Sequence, residues 1–227
     1  MKTILCYGDS NLRGFIPGTF DEKTGLSARY TKDKRWTGIL QNKLGEKYNV
    51  VEEGINGRTT ILDEIIPGRP FRNGLTLLPA CLESHYPIDL VIFMLGTNDT
   101  KIQFNKTPEE ITEGMRLLVK SIKMCDKGSN LTAPKILIIA PPPILKTENL
   151  HPQFDGEPIK KTKMLSALYK QMAQQEKCEF IDATLIVSSS KLDGIHLDEP
   201  EHKLLGQAVA DMVIKILSPG ASGLLRR

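Results

Sequence analysis

The stretch Ile4-Leu-Cys-Tyr-Gly-Asp-Ser-Asn11 is an apolar run that ends abruptly in three residues with high turn propensity. The apolar run predicts a buried β-strand near residues 2–7, and the Gly-Asp-Ser that follows predicts a turn at its carboxyl end. Such a turn would present the Ser10 hydroxyl at the edge of a sheet, where α/β proteins bind their ligands. Ser10 therefore has two interpretations at this point, an ordinary turn residue or a nucleophile.

The rest of the chain alternates short apolar segments with longer amphipathic ones, which is typical of a parallel α/β fold. The almost continuously apolar first, third and fourth segments indicate strands covered by helices on both faces. We therefore predict a three-layer α/β/α sandwich around a parallel sheet of about five strands. Predicted strands lie at 2–7, 48–53, 89–95, 135–140 and 178–182, and predicted helices lie at 36–46, 74–85, 108–125, 158–176 and 199–217.

The length of 227 residues and the 40% hydrophobic content fit one domain with one sizeable core. We predict a single domain over 1–217, since no repeat or low-complexity linker divides it, and a C-terminal tail over 218–227 that is flexible or foreign to the natural protein. The long polar segments 13–34, 61–73 and 144–157 predict loops that cover the carboxyl edge of the sheet.

A nucleophilic serine needs a base and an orienting acid, and one short segment offers both. In Lys191-Leu-Asp-Gly-Ile-His-Leu-Asp198, Asp193 and His196 are three residues apart and bracket a glycine. A tight loop would let Asp193 fix the tautomer of His196, whose other ring nitrogen could then take the Ser10 proton. The alternative is a surface histidine that precedes a helix. No other histidine has an aspartate at this spacing: His85, His151 and His202 lack one.

Acyl transfer also requires hydrogen-bond donors aimed at the developing oxyanion. Gly57 follows the second predicted strand, and a glycine can present its backbone N–H without a side chain in the way. Asn98 follows the third strand in Gly96-Thr-Asn-Asp99 and can donate from its side-chain amide. Each segment taken alone is equally a glycine turn or an Asx turn. Parallel strands would nevertheless bring Ser10, Gly57 and Asn98 to one edge of the sheet.

Four blocks, Gly8-Asp-Ser10, the Gly57 loop, Gly96-Thr-Asn-Asp99 and Asp193-Gly-Ile-His196, follow the order seen in the SGNH (GDSL-type) hydrolases. The chain resembles this family over nearly its whole length. The resemblance implies a flavodoxin-like fold, with Ser10 as nucleophile, His196 as base and Asp193 as orienting acid. It also implies an oxyanion hole formed by the Ser10 and Gly57 N–H groups and the Asn98 amide, with no metal and no cofactor.

Five further segments resemble a bacterial arylesterase and acyltransferase branch of that family: Arg35-Trp-Thr-Gly38, Glu52-Glu-Gly54, Arg58-Thr-Thr60, Leu95-Gly-Thr-Asn-Asp-Thr-Lys101 and Pro141-Pro-Pro143. That branch hydrolyses small and aryl esters, and some members pass the acyl group to alcohols or peroxide. The chain departs from it at Asn11-Leu-Arg-Gly-Phe15, which replaces a Leu-Thr-Trp-Gly-Trp-like run, and at a shortened stretch around Phe154. The balance between hydrolysis and acyl transfer stays open, because both departures fall where specificity would be set.

Several side chains are candidates for contact with the substrate, although ordinary packing explains most of them as well; Ile195 is the exception, because it lies between Asp193 and His196. Phe104 is a further candidate for an apolar wall, while Lys101 is expected to be solvated or, from the resemblance, to lie near the entrance. The candidate substrate-binding residues are Asp9, Phe15, Trp36, Lys101, Phe154 and Ile195.

Composition excludes several other classes of partner. The net charge is +3, with basic residues interspersed among acids, so nucleic acid is not an expected partner. No stretch approaches the roughly 20 apolar residues of a membrane span. The four cysteines are scattered, which indicates reduced thiols. A cleaved signal peptide would also remove Ser10, so we expect a cytoplasmic protein.

The sequence thus predicts a serine esterase that acts on a short-chain or aryl ester through an acyl-enzyme, with possible acyl transfer and a homo-oligomeric assembly. Within the same family, a carbohydrate O-acetylesterase and a thioesterase or lysophospholipase are alternatives. From a different class, a metal-dependent phosphoesterase could use Asp9, Asn98, Asp99 and His196 as ligands. A non-catalytic binding module on the same fold is a third hypothesis.

Overall fold

The structure is a computed structural model that describes residues 1–21, 23–64 and 71–218. The strands are β1 (Lys2–Gly8), β2 (Tyr48–Gly54), β3 (Leu90–Met94), β4 (Lys135–Ala140) and β5 (Glu179–Asp182). The α-helices are α1 (Ser10–Arg13), α2 (Trp36–Leu44), α3 (Gly74–His85), α4 (Pro108–Lys123), α5 (Glu157–Gln175) and α6 (Glu199–Leu217).

The five strands form one sheet in the order β2-β1-β3-β4-β5, and every neighbouring pair is parallel. The predicted α/β sandwich with a five-stranded parallel sheet is therefore confirmed. β1 has β2 on one side and β3 on the other, so the chain reverses its direction of winding at β1. In open parallel sheets a crevice opens at such a point, outside the carboxyl ends of the strands. Ser10 lies directly after β1 at this crevice.

The two faces of the sheet carry separate apolar cores because side chains alternate along each strand. Ile4 and Cys6 of β1 belong to the core that includes α2 and α6, whereas Leu5 and Tyr7 belong to the core that includes α3, α4 and α5. These β1 side chains are wholly buried, which rigidly anchors the strand that precedes Ser10.

Helix boundaries follow local signals. In α4 the side chain of Thr107 caps the first turn, Pro108 is the first residue and Glu110 completes a capping box, as its sequence indicates. The predicted stripe that includes Met115 is part of the core. α2 ends at Leu44, before the predicted 46, because Gly45 adopts a positive φ. The single-turn helix α1 was not among the predicted helices, since four residues are too few to show a helical period.

The cysteines, the absence of a membrane span and the C-terminal tail are the remaining predictions from the sequence. All four cysteines, Cys6, Cys81, Cys125 and Cys178, are free thiols, as predicted. In the described part of the chain, no helix is long and apolar enough to cross a membrane. The predicted tail 218–227 lies outside the described residues except for Ser218, which caps α6.

His202 is a buried histidine at the contact between α2 and α6. Its Nδ1 accepts a hydrogen bond from the Trp36 N–H at 3.3 Å, and its ring packs edge-on against Tyr30 at 5.3 Å. Burial, helped by the nearby positive charge of Arg35, lowers the pKa of His202 to about 4 from an ordinary 6.5. The native protein therefore holds this ring neutral in a range where the unfolded chain protonates it.

We expect the free energy of unfolding to fall as the pH drops from 6.5 towards 4, because only the unfolded chain takes up the His202 proton there. The full contribution of this group is about 3 kcal/mol. His202→Gln, which cannot titrate, should lose less stability between about pH 7 and about pH 4.5 in urea unfolding. The other groups titrate in both proteins, so an equal pH dependence in wild type and variant would contradict the assignment.

Candidate active site

Ser10, His196 and Asp193 are joined by two consecutive hydrogen bonds. The Ser10 Oγ lies 3.0 Å from His196 Nε2, and His196 Nδ1 lies 2.7 Å from Asp193 Oδ2. Ser10 and His196 are 186 residues apart in the chain, so only the fold brings them together. The distances are those required for a base to take the hydroxyl proton while an acid holds the ring.

The turn that presents Ser10 is built by its two neighbours. Asp9 caps α1 by accepting the Asn11 N–H at 3.0 Å, so Ser10 becomes the first residue of that helix. The Asn11 side chain spans the gap to the histidine loop: its Oδ1 accepts the Leu197 N–H at 3.0 Å and its Nδ2 donates to the Ile195 carbonyl at 3.3 Å. Asn11 therefore holds the Ser10 helix and the His196 loop in one arrangement.

The histidine loop closes tightly on itself because of a glycine. Gly194 has a φ of +75°, and a Cβ at this position would lie 2.2 Å from the Leu145 carbonyl oxygen. Only glycine fits both conditions. With this turn in place, Asp193 Oδ1 accepts the backbone N–H groups of Ile195 and His196, each at 3.0 Å. The carboxylate is thus fixed in orientation before it contacts the imidazole.

Asp193 remains ionised despite its position under the loop. Burial by itself would raise the pKa of this carboxyl, but the hydrogen bond and charge of His196 and the two backbone N–H groups bring it below its usual range. The carboxylate accepts a hydrogen bond from the Nδ1–H, which keeps the proton of the neutral ring on Nδ1 and leaves Nε2 unprotonated towards Ser10. This is the tautomer that general-base catalysis needs.

Phe15 forms a flat wall behind the imidazole. Its ring stacks on the His196 ring with centroids 3.7 Å apart and planes inclined by 8°. Phe15 is itself held near Ser10, because its N–H donates to the Ser10 carbonyl at 3.0 Å. The stack restricts rotation of His196 and shields one of its faces from water. Phe15 therefore lies at the site, and the contact that the structure shows is with His196. Its predicted contact with substrate stays a prediction.

Asn98 and Gly57 lie at the ends of the strands that flank β1, as the sequence predicts. Asn98 Nδ2 donates to the Arg58 carbonyl at 3.1 Å and lies 3.4 Å from Asp9 Oδ2. Gly57 has a φ of +79°, which an L-residue rarely adopts. The contact between Asn98 and Arg58 joins the segment that follows β3 to the loop that contains Gly57.

Asp9 and Asp99 are two wholly enclosed carboxyl groups beneath this edge. Burial raises the pKa of Asp9 to about 7, with a smaller opposing effect of the Asn11 N–H. Burial likewise raises the pKa of Asp99 to about 6, against the hydrogen bonds from the Thr60 hydroxyl and N–H. Those bonds, at 2.5 and 2.9 Å, hold the segment that follows Gly57 against the segment that follows β3. Asp9, whose side chain caps α1, therefore lies buried beneath the site.

The family to which the chain belongs is shown by its match to a known family model. The GDSL-like lipase/acylhydrolase model matches residues 6–204, which is most of the chain and contains every residue of the site. The chain belongs to this family. The resemblance inferred from the four sequence blocks is therefore confirmed, and the protein is a carboxylic ester hydrolase of the serine type.

Solved structures of related proteins agree with this assignment. The native aryl esterase of M. smegmatis is 40% identical with a TM-score of 0.87, and the match covers 96% of this chain and 100% of that one. A carbohydrate acetylesterase from Sinorhizobium meliloti is 42% identical with a TM-score of 0.86 over the same shares. An acetylxylan esterase of Xylanibacter ruminicola is 23% identical over 91% of this chain, which spans only 42% of that protein.

Two candidate substrate-binding residues of this GDSL-type hydrolase lie in a small apolar cluster next to the catalytic loop. Phe154 and Ile195 pack with Ile144 and Leu150, and each is less than a tenth exposed. They form an apolar wall on the β4 side of Ser10, because Phe154 comes from the connection after β4. Their packing agrees with the predicted apolar wall, while contact with substrate stays a prediction.

The expectation that Lys101 is solvated is wrong. Its Nζ makes 2.7 and 2.8 Å contacts with both carboxylate oxygens of Glu64, and it lies 5.8 Å from the centre of the Phe154 ring. The lysine is buried because the Glu64 carboxylate and Phe154 enclose it from two sides. A position near the entrance of the site stays a prediction.

The prediction that Trp36 lines the site is also wrong. Trp36 is wholly buried and belongs to the core between the sheet, α2 and α6. The reason is the close approach of these helices: a Cβ on Gly206 would lie 2.7 Å from the Trp36 carbonyl oxygen. The indole therefore fills space between two helices and has no surface to offer a substrate.

Arg58 is a structural residue of the site, whereas its sequence segment Arg58-Thr-Thr60 indicates only the family resemblance. Its wholly buried guanidinium lies 3.9 Å above the Tyr7 ring and donates to the Gly8 carbonyl at 3.0 Å, as well as to the Glu53 carbonyl. A cation that binds the ends of β1 and β2 holds the Gly57 loop against the Ser10 turn. The sequence signal that points to this role is the position of Arg58 directly after Gly57.

The alternative of a metal-dependent phosphoesterase finds no support in the side-chain arrangement. Across residues 1–21, 23–64 and 71–218, no group of three or more His, Cys, Asp or Glu side chains is placed to hold a metal ion. Of the four ligands that the sequence suggested, Asp99 is engaged by Thr60 and His196 by Asp193 and Ser10. Membership in the acylhydrolase family favours serine chemistry instead.

Proposed function

We propose that this enzyme hydrolyses small carboxylic esters through an acyl-enzyme on Ser10, with His196 as base and Asp193 as the group that orients it. The observation that carries the proposal is the continuous chain of contacts from Ser10 Oγ through the imidazole to the Asp193 carboxylate, at 3.0 and 2.7 Å. A serine hydroxyl is a weak nucleophile unless such a base accepts its proton.

In the proposed first step, His196 Nε2 removes the Ser10 proton while Oγ bonds to the ester carbonyl carbon. The resulting oxyanion accepts hydrogen bonds from the Ser10 and Gly57 N–H groups and from Asn98. Asn98 Nδ2 has two hydrogens, and its contact with Asp9 at 3.4 Å is long, so an oxyanion can compete for that donor. The imidazolium then gives its proton to the departing alkoxide, and water repeats the sequence to release the acid.

The surroundings of Ser10 favour a short acyl group. Ser10 is only 7% exposed, and the adjoining wall contains Phe15, Phe154 and Ile195. Aryl esters are the first candidate substrates because the 40% identical structure is an aryl esterase. Carbohydrate acetates are the second, since the 42% identical structure is a carbohydrate acetylesterase. Partial transfer of the acyl group to alcohols belongs to the same proposal, because Phe15 shields His196 from water on one face.

A fluorophosphonate probe tests the proposed nucleophile directly. We expect a single adduct on the peptide that contains Ser10, with hydrolysis of 4-nitrophenyl acetate and of an acetylated sugar lost in proportion to labelling. A chelator should leave both activities unchanged. Labelling elsewhere with Ser10 unmodified, or full activity after complete labelling, contradicts the proposal. Activity that is lost to the chelator and restored by manganese would favour the phosphoesterase hypothesis instead.

Assembly and location also belong to this proposal. Leu26 and Leu192 are 68% and 55% exposed on the segments that border the site, and Leu192 lies 3.9 Å from a Cβ built on Gly18. Exposed apolar side chains in one region favour contact with a second copy of the chain, so we propose a homo-oligomer. Four free thiols favour a reducing compartment, which supports a cytoplasmic location.

A further inference from the structure

A cavity of about 300 Å³ lies at the carboxyl end of β2. It lies between α1, the end of β2 and the segment around Leu26. Arg13, which lines it, is one helical turn after Ser10, and Asn56, which also lines it, directly precedes Gly57. Ile55, another lining residue, donates its N–H to the Gly8 carbonyl at 3.2 Å, so the cavity lies beside the turn that leads to Ser10 and the loop that leads to Gly57.

The lining of this cavity is basic. Arg13 and Arg72 both contribute to it, and no acidic residue is part of the lining within the described ranges. The Arg72 side chain reaches the oxyanion loop, since a Cβ built on Gly57 would lie 3.4 Å from its Cδ and Nε atoms. The Glu64 carboxylate reaches the same place, with Oε2 3.5 Å from that Cβ, so the positive charge available to a ligand in the cavity is that of Arg13.

The charge of Arg13 has no counterion among the residues that the structure describes. Its Nη1 is buried and has no hydrogen-bond partner there. Glu52, which lies on β2, binds Arg35 through two hydrogen bonds at 3.0 and 2.6 Å and lies 3.7 Å from Arg29. Burial and the charge of Arg35 lower the pKa of Arg13. A guanidinium that lines a cavity without a counterion can bind an anionic ligand there through charge-assisted hydrogen bonds.

Ser27 and Asn56 can add neutral hydrogen bonds to the cationic ones. They line the cavity and contact each other, with Asn56 Nδ2 at 3.3 Å from Ser27 Oγ, while Asn56 Oδ1 is buried without a partner in the described part of the chain. A hydroxyl donates as well as accepts. The Ser27 hydroxyl can therefore donate to a ligand while it accepts the hydrogen bond of Asn56 Nδ2.

The two sides of Ser10 consequently differ in character. On the β4 side lies the apolar wall with Phe154 and Ile195, and on the β2 side lies the basic cavity. An ester bound at Ser10 with its small acyl group against the apolar wall would direct its alcohol portion into the basic cavity. Arginine recognises a carboxylate with paired, charge-assisted hydrogen bonds.

We propose that this cavity, the Arg13 subsite, binds a carboxylate carried by the alcohol portion of the substrate, so that the preferred substrates are O-acyl derivatives of hydroxy acids. This inference rests on the proposed serine esterase function and specifies its substrate class. The subsite contributes binding and orientation, and the Ser10 chemistry is unchanged.

A matched pair of esters tests the subsite, 3-acetoxybenzoate and its neutral analogue 3-acetoxybenzamide. We expect wild type to have a kcat/KM about tenfold higher for the carboxylate ester, and Arg13→Gln to remove most of that ratio. Arg13→Lys should keep part of it, since the charge remains but the paired geometry does not. Lys120→Gln is the matched control, because it removes an exposed cation from α4 without touching the cavity, and its ratio should equal that of wild type.

Two further measurements keep the outcome decisive if Arg13→Gln fails to fold. The wild-type preference should shrink at about 0.5 M salt, where exposed charges are screened. Ser10→Ala should bind 3-hydroxybenzoate about tenfold more tightly than 3-hydroxybenzamide in calorimetry. Equal rates and equal binding for the charged and neutral compounds overturn the subsite while leaving the esterase intact. Inorganic phosphate that binds Ser10→Ala as tightly as 3-hydroxybenzoate would instead indicate a site for free anions, which also contradicts the proposal.

Discussion

Ser10→Ala is expected to reduce kcat/KM for 4-nitrophenyl acetate by about 10⁴-fold or more and to abolish labelling by a fluorophosphonate. Without Oγ there is no atom to form the acyl-enzyme, and His196 is left with a methyl group at the position where it now meets a hydroxyl 3.0 Å away. The residual rate should be that of water attack assisted by the oxyanion donors. Steady-state kinetics with 4-nitrophenyl acetate and gel-based labelling check both parts.

Ser129→Ala is the matched control for this substitution. Its hydroxyl donates to Asp89 at 3.1 Å, beside the amino end of β3 and so at the opposite edge of the sheet from Ser10. That variant should keep wild-type kinetics and labelling. A Ser10→Ala protein that is properly folded, free of contaminating esterase and still within tenfold of wild type would exclude the acyl-enzyme mechanism.

Asp193→Asn is expected to lower kcat by about 10³- to 10⁴-fold with little loss of folded structure. An asparagine whose Oδ1 keeps the two backbone hydrogen bonds must place its Nδ2 group, a donor, against His196 Nδ1. The imidazole then carries its proton on Nε2, facing Ser10, and cannot accept another. The active site would be nearly unchanged in shape but would hold the wrong tautomer.

The control for Asp193→Asn is Asp126→Asn, which removes an exposed carboxylate after α4 that lies 3.3 Å from Lys127. It should match wild type in kcat. Circular dichroism and thermal unfolding establish that Asp193→Asn is folded. A loss smaller than about tenfold would show that the Asp193 contact is not needed to orient His196.

The fold could be predicted well because its signals are local. Each strand is a short apolar run and each long helix has a repeating apolar stripe, so boundaries such as Pro108 follow from a few neighbouring residues. The order of the strands and the exact helix ends are not local properties. α2, for example, ends where Gly45 takes a positive φ, which the apolar stripe does not indicate.

The types of residue that form the site could be predicted from the sequence, but the contacts and the burial of each side chain could not. Ser10, Asp193 and His196 are recognisable because the chemistry demands a nucleophile, an acid and a base, and because their motifs occur in a known order. Trp36 and Lys101 were misplaced for one shared reason, namely that burial depends on what the rest of the chain packs against a side chain. Trp36 is covered by α6, and Lys101 is enclosed by Glu64 and Phe154, partners that are 37 or more residues away in sequence.

The sequence alone therefore determined the parallel α/β architecture and the set of residues able to perform serine chemistry, since both depend on residue type and short-range pattern. Only the tertiary structure decided that Ser10 and His196, 186 residues apart, meet at 3.0 Å, and that Asn11 and Arg58 hold their loops in place. It also decided that Arg13 lacks a counterion beside a cavity. Distances and unpaired charges arise from packing between distant segments, and no local pattern specifies them.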